Sequence, residues 1–241
     1  ALSLDDTVSE AHDLHARILF AYDWDWDGAE REFQRAFELD PTKMDAHAVY
    51  AQFLAITGQW DRVLPEIELA LEADPYNPFY QHQMGASLSW LGRYDEAISR
   101  FHRLSSLNPN SPPARKQLWT ALFASRRFEE ALVEASTFFE LMGYQEVAET
   151  LTQESQEGNY AAAMSRAASR LIALSDTRYV GPATVARLYI HAADKDRAMT
   201  WLERSYAEHE SRLVYVKVDR SFESLWNDPR FTDLMKRINL K

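Results

Sequence analysis

Apolar positions along the chain recur in threes and fours and are interrupted at regular intervals. In one stretch Met84, Leu88 and Leu91 keep helical spacing, Gly92-Arg93 breaks it, and Ala97, Ile98 and Phe101 resume it. Asn108-Pro109 then closes the stretch, because proline disfavours a helical residue before it and suits a helix start after it. The pattern predicts helix, tight turn, helix, turn. It returns at one period: Pro41, Pro75 and Pro109 stand 34 residues apart, as do Trp26, Trp60, Tyr94 and Phe128. Ala29, Val63, Ala97 and Ala131 keep the same step, and so do Gly58 and Gly92. Independent columns that agree on one period predict stacked copies of a single helical hairpin.

The run Met84-Gly85-Ala86-Ser87-Leu88, followed by Gly92-Arg93-Tyr94-Asp95-Glu96-Ala97-Ile98, Phe101 and Asn108-Pro109, resembles a unit of the tetratricopeptide-repeat (TPR) family. Small residues such as Gly85 and Ala97 let two helices approach, and Tyr94 and Phe101 are expected to fill the adjoining holes. The resemblance implies an all-α fold, a right-handed TPR superhelix (α-α solenoid) of about six helix pairs with a C-terminal helical cap. Residues 8–143 read as four well-formed units: 8–41, 42–75, 76–109 and 110–143. The first has a turn, Tyr22-Asp23-Trp24-Asp25-Trp26, one residue longer than the others. Val63 replaces the usual alanine in the second, Leu104 a small residue in the third, and the fourth lacks the turn glycine. Residues 144–209 read as two degenerate units, the fifth carrying Gly158, Tyr160 and Ala163 and the sixth Ala186, Ala198 and Leu202.

Residues 210–241 leave this frame. They predict short capping helices, with Asp228 as N-cap and Pro229 at the first helical position, covering the last face of the solenoid. Residues 1–7 look like the tail of a truncated preceding repeat, since Ala1-Leu2-Ser3-Leu4-Asp5-Asp6 parallels Ala36-Phe37-Glu38-Leu39-Asp40-Pro41. The expectation is a C-terminal TPR array of a bacterial multidomain regulator, with a winged-helix, cyclase or kinase domain upstream.

Composition agrees with a helical reading: 241 residues hold only 7 glycines and 9 prolines. Acidic residues outnumber basic ones 37 to 26, for a net charge of -11. That field repels phosphate backbones and anionic lipid, so no nucleic acid and no membrane are expected as partners, and a basic protein or peptide is favoured. There is no cysteine, which removes disulfides and thiolate metal sites. No apolar run approaches the roughly 18 residues of a spanning helix, no signal peptide is visible, and a cytoplasmic location is expected.

Candidate chemistry is thin. Asp23-Trp24-Asp25-Trp26-Asp27-Gly28 matches the opening of a calcium loop, but its twelfth position, which requires glutamate, is Gln34. A turn with Asp27 capping the next helix and Trp26 buried is expected instead. Trp24 and Trp90 have no clear packing slot. His12 and His15 share a helix face, and His12 and His47 occupy equivalent slots. No carboxylate is evidently placed to orient these rings for zinc, so packed or hydrogen-bonded histidines are expected. Nucleophile elbows, zinc-protease motifs and phosphate loops do not occur. The reading is a non-catalytic chain without metal or cofactor.

The resemblance implies a groove lined by the first helix of each pair. It assigns Asp13, Arg17 and Phe20, then Val49 and Gln52, then His82 and Gln83, then Lys116, Gln117 and Thr120. Asp13 and Ala48 stand where a carboxylate clamp would need lysine and asparagine. The mixed surface, with Gln52, Gln83 and Gln117, suits backbone bonding to an extended peptide or helix. The alternative is a homodimer, formed by burying an apolar face at the N-terminal end.

Overall fold

The computed structural model describes residues 6–155 and 159–240, and these residues form helices and turns without a strand. The helices run in six consecutive pairs. They are α1 (Ser9–Ile18) with α2 (Trp26–Leu39), α3 (Met44–Thr57) with α4 (Trp60–Ala73), and α5 (Pro78–Trp90) with α6 (Tyr94–Leu107). Then come α7 (Pro112–Ala124) with α8 (Phe128–Leu141), α9 (Gln145–Ser155) with α10 (Tyr160–Ala173), and α11 (Pro182–His191) with α12 (Lys195–Ala207). Two 3-10 turns, Leu213–Lys217 and Arg220–Leu225, and a final helix α13 (Pro229–Arg237) form the tail. The fold is all-α, of TPR solenoid type. The described residues of Ala1–Ser87 and Met235–Lys241 make one compact unit, and those of Leu88–Leu234 another.

The periodic columns are packing slots. Ala29, Val63, Ala97 and Ala131 are each 0% exposed. Four residues further along each second helix, Phe33, Ile67, Phe101 and Ala135 are equally buried. A helix that places a small residue one turn before a large one can seat both against its partner. The hairpin turns are as regular. Gly58 and Gly92 lie at φ 84° and 79°, and Arg126 holds the same left-handed slot at 62° where the glycine is missing. The closing backbone bonds match: Gln59 N to Leu54 O at 2.8 Å, Arg93 N to Leu88 O at 2.8 Å and Arg127 N to Leu122 O at 2.9 Å.

The longer first turn has a physical form. Leu19–Asp23 winds as a π-helical turn, which absorbs one extra residue without breaking the register of the helices around it. Trp24 ends it in the left-handed region at φ 55° and is buried, 6% exposed. Two details differ from expectation. The cap of α2 is Asp25, whose Oδ1 accepts Gly28 N at 2.9 Å, because α2 starts at Trp26, in register with Trp60, Tyr94 and Phe128 of the later units, which leaves Asp27 inside the first turn. A Cβ on Gly28 would meet Asp25 Oδ2 at 2.2 Å, so a larger residue there would make the capping carboxylate turn aside. Trp26 is not buried: it is half-exposed, and its indole N–H donates to Ile238 O at 2.8 Å. Its column behaves likewise, with Trp60 36% and Phe128 41% exposed. These residues begin their helices, where the chain has only just left the turn and part of each ring stays open to solvent.

The first unit has an aromatic core. Phe33 lies 5.2 Å from Tyr50, 5.6 Å from Phe53 and 6.3 Å from Phe20 between ring centroids. The end of the tail belongs here too: Ile238 and Leu240 are buried, and Asn239 Nδ2 donates to Trp24 O at 3.3 Å. In the second unit the turn Leu213–Lys217 packs on α12, while Arg220–Leu225 packs on α7 and α11. The tail is therefore more than an end cap, since it lies on the first helices of two separate repeats. Asp228 caps α13 as expected, its Oδ1 accepting Arg230 N at 2.9 Å. The expected repeat remnant at 1–7 falls largely outside the described residues, as does Gly158.

Candidate functional site

In the first unit Asp13 is buried and clamped by Arg17, Nε to Oδ1 at 2.9 Å and Nη2 to Oδ2 at 2.7 Å. Phe20 and Val49, expected in the groove, are instead 2% and 5% exposed. Phe20 sits among Trp26, Phe33 and Phe53, in a slot that faces the core, since Leu54 and Ala55 one repeat on are buried as well. Gln52 and His82 are half-buried and Gln83 is buried. Arg17, Gln52 and His82 are thus the assigned positions in this unit that keep polar surface in reach of solvent.

The histidines have carboxylates after all. His12 Nδ1 lies 2.6 Å from Glu32 Oε2 and its Nε2 2.9 Å from Asp6 O. One repeat on, His47 Nδ1 lies 2.6 Å from Glu66 Oε2 and Nε2 3.2 Å from Pro41 O. In the fourth repeat Arg115 and Glu134 occupy the same pair of slots, 2.9 Å apart. Each ring faces an acceptor on both nitrogens, an arrangement that only the imidazolium satisfies fully. Burial alone would lower both pKa values; the carboxylate and carbonyl contacts outweigh it and raise them above the usual histidine value. Among the described residues no group of three or more His, Asp or Glu side chains is arranged to hold a metal ion.

These pairs predict a pH dependence. A raised folded-state pKa contributes stability that is complete below the unfolded value near 6.5 and is lost as pH rises through the folded value. Urea unfolding of the wild type should therefore weaken between pH 6 and pH 8, and His47→Gln should flatten that slope. An unchanged slope in the variant would show that the pairs carry no linkage.

The second unit holds a buried polar network that the sequence did not announce. Trp119 Nε1 donates to Tyr160 OH at 2.9 Å, Tyr160 OH bonds His191 Nδ1 at 2.6 Å, and His191 Nε2 bonds Ser221 Oγ at 3.0 Å. Phe123 stacks on the His191 ring at 3.6 Å. One turn earlier on α11, Arg187 pairs with Asp219, which also accepts Ser221 N at 2.9 Å. Arg187 lies over the Phe222 ring at 5.3 Å. Both members of the ion pair are nearly buried, with side chains 10% and 13% exposed. Burial raises the Asp219 pKa, but Arg187 and the Ser221 amide outweigh it and hold the carboxyl below its usual range. Lys116 stands in the same field, where burial first and Arg187 second push its amine down to about 7. Gln117 is half-buried, and Thr120 is buried with its hydroxyl donating to Gln117 O at 3.0 Å. So of the assigned residues here, Lys116 meets the network and Thr120 turns back on its own helix.

The Ser221–His191 contact has the length of a nucleophile and its base, but the proton is on the wrong nitrogen. Tyr160 accepts from Trp119, so its hydroxyl hydrogen goes to Nδ1, and Nε2 must carry the ring proton and donate to Ser221. Burial and the Arg187 charge hold the His191 pKa well below the usual value, so the ring stays neutral. A histidine in this tautomer cannot draw a proton from the serine.

No protein-family profile matches this chain, and no curated protein does. Solved structures share the fold. PilF of Pseudomonas aeruginosa is 16% identical over 97% of this chain and 98% of its own, with a TM-score of 0.57. The Naa15/Naa10 assembly bound to HypK-THB is 14% identical over 97% of this chain and 39% of that one, at 0.51. Yeast Tom70 is 17% identical over 88% of this chain and 46% of its own, also at 0.51. At these identities the likeness is one of fold. That fold is the TPR-like solenoid, and among the described residues no helix is long and apolar enough to cross a membrane.

Proposed function

We propose that this chain is a non-catalytic protein-interaction module of a larger, bacterial, cytoplasmic regulatory protein, holding an extended peptide segment on the first helices of its hairpins. One observation carries the reading. The α11 helix, with α7 packed on the same turn, already holds a short 3-10 segment, Asp219 to Phe222, by an ion pair, a hydroxyl bond and an aromatic contact. A face that grips its own chain in this way has the chemistry of peptide recognition: a few buried polar anchors and an apolar seat. In the first unit Arg17, Gln52 and His82 offer comparable polar groups on α1, α3 and α5. The test is affinity capture with the wild type and an Arg17→Ala/Gln52→Ala/Lys116→Ala variant of unchanged helicity. The variant should lose the partners that the wild type retains. Equal recovery from both would count against the reading.

A second reading, homodimerisation, is favoured by an exposed apolar stripe on α1 and the π turn that follows it. Leu14, Ile18 and Tyr22, spaced by four, are 53%, 49% and 51% exposed. Their equivalents 35 positions on, Val49 and Phe53, are buried, Phe53 against Phe33 of α2. The slots of α1 thus remain open to a second copy. Light scattering should give a dimer for the wild type and a monomer for Leu14→Glu/Ile18→Glu. A monomeric wild type at tens of micromolar would end this reading.

A further inference from the structure

The buried network of the second unit divides cleanly by origin. Trp119, Tyr160, Arg187 and His191 all come from the repeat helices α7, α10 and α11. Asp219, Ser221 and Phe222 all come from one four-residue stretch of the tail. The helical half is set up independently of the tail: Trp119 and Tyr160 hold the His191 tautomer, and Phe123 stacks on its ring. The tail half is a 3-10 turn, a conformation with poorer hydrogen-bond geometry and little stability of its own. It is seated by side-chain contacts and by single bonds such as Lys195 Nζ to Ser224 O at 2.8 Å. That is the asymmetry of a receptor and a ligand. A plain end cap would need only apolar contact, whereas a buried ion pair selects what can sit there.

We infer that the α7–α11 face recognises a carboxylate–x–hydroxyl–aromatic segment of a partner protein, and that Asp219-Arg220-Ser221-Phe222 is a resident copy of that ligand which the partner displaces. This rests on the interaction-module reading above and specifies the ligand it takes. The carboxylate goes to Arg187, the hydroxyl to His191 Nε2–H, and the ring beneath the Arg187 guanidinium. The local chemistry therefore selects an acidic segment although the whole chain is acidic. Net charge acts on the approach at long range, while Arg187 acts at contact. A partner protein is the occupant rather than a second copy, because another copy's tail has the same intrinsic affinity and lacks the tether, which gives the resident tail an effective concentration on the order of millimolar. Only a better-fitting segment displaces it.

The test uses the full chain and a fluorescein-labelled synthetic peptide of residues 213–226, read by anisotropy. The tail is opened with Asp219→Ala/Phe222→Ala, leaving the receptor residues intact. The opened chain should bind the peptide at least about 10-fold more tightly than the wild type, whose own tail competes. Adding Arg187→Ala to the opened chain, or Asp219→Asn to the peptide, should each weaken binding by about 10-fold or more. Should the opened chain lose its helical circular dichroism, Asp219→Asn alone provides the opened form. A folded, opened chain that binds no better than the wild type overturns the inference, and so does binding indifferent to Arg187. Dimerisation of the opened chain in place of peptide binding also overturns it, by making a second copy the occupant. Peptide failure with partner capture still dependent on Arg17 and Gln52 sinks this inference alone; failure of both sinks the interaction reading as well.

Discussion

Asp219→Ala is expected to lower the unfolding free energy by about 3–5 kcal/mol, because it leaves the Arg187 charge in a nearly dry site without its partner. The neighbours make matters worse. Lys116 is a second cation in the same field, and its amine is already held down by burial and by Arg187. Replacing both partners by apolar residues, Arg187→Met with Asp219→Leu, removes the stranded charge and should cost less than either single change. Urea unfolding of Arg187→Met, Asp219→Leu and the double closes the cycle. Additive losses would mean that Arg187 and Asp219 do not act on each other, and the ligand-like seating of the tail would lose its anchor. The tail's release can be followed separately, since Trp90 lies 6.4 Å from Tyr215 and its carbonyl accepts Arg220 Nε at 3.0 Å. A change in tryptophan emission ahead of the loss of helicity would show the tail leaving before the hairpins melt.

The hairpins were legible in the sequence because what forms them is local. Ala97 and Phe101 meet a helix only a turn away in the chain, so the same residue types must return at the same step. Even the extra residue in the first turn showed, and it became the π turn at Leu19–Asp23. Polar columns carried a signal that was there to be read. His12 and His47 recur with Glu32 and Glu66 at nearly the same step, and those carboxylates are the ones that hold the rings. What could not be read was the tail. Arg187 with Asp219, His191 with Ser221 and Trp26 with Ile238 are contacts outside the repeat frame. No periodicity links such residues, because each pair occurs once. Arg187 and His191 lie on one face of α11, four apart, within a helix whose other residues are mostly apolar and buried. A pair of that kind on a buried face is the sequence signal for a polar anchor, and it was masked by the alanine and leucine columns around it.

Phe33→Ala should be as damaging as the loss of Asp219, at about 3–5 kcal/mol, for a reason that tests the register itself. Phe33, Ile67, Phe101 and Ala135 occupy one slot in four successive second helices, all 0% exposed, yet their volumes differ widely. Where the slot holds only Ala135, Trp119 and Phe139 supply bulk nearby, 5.9 Å apart and fully buried. Around Phe33 the neighbours Phe20, Tyr50 and Phe53 are themselves packed at 5.2 to 6.3 Å from its ring. They are held on α3 and the π turn, with Tyr50 further fixed by Glu30 and Arg62 at 2.5 and 2.7 Å. Tyr50 cannot move in to fill a gap without breaking those bonds, and Phe20 and Phe53 are already packed, so the cavity should persist and its cost be near the upper part of the range. Phe33→Leu keeps most of the volume and should lose about 1 kcal/mol. Urea unfolding followed by circular dichroism measures both. A loss below about 1 kcal/mol for alanine would show the cluster closing over the gap, and the 34-residue column would then describe where side chains sit without being what holds the hairpins together.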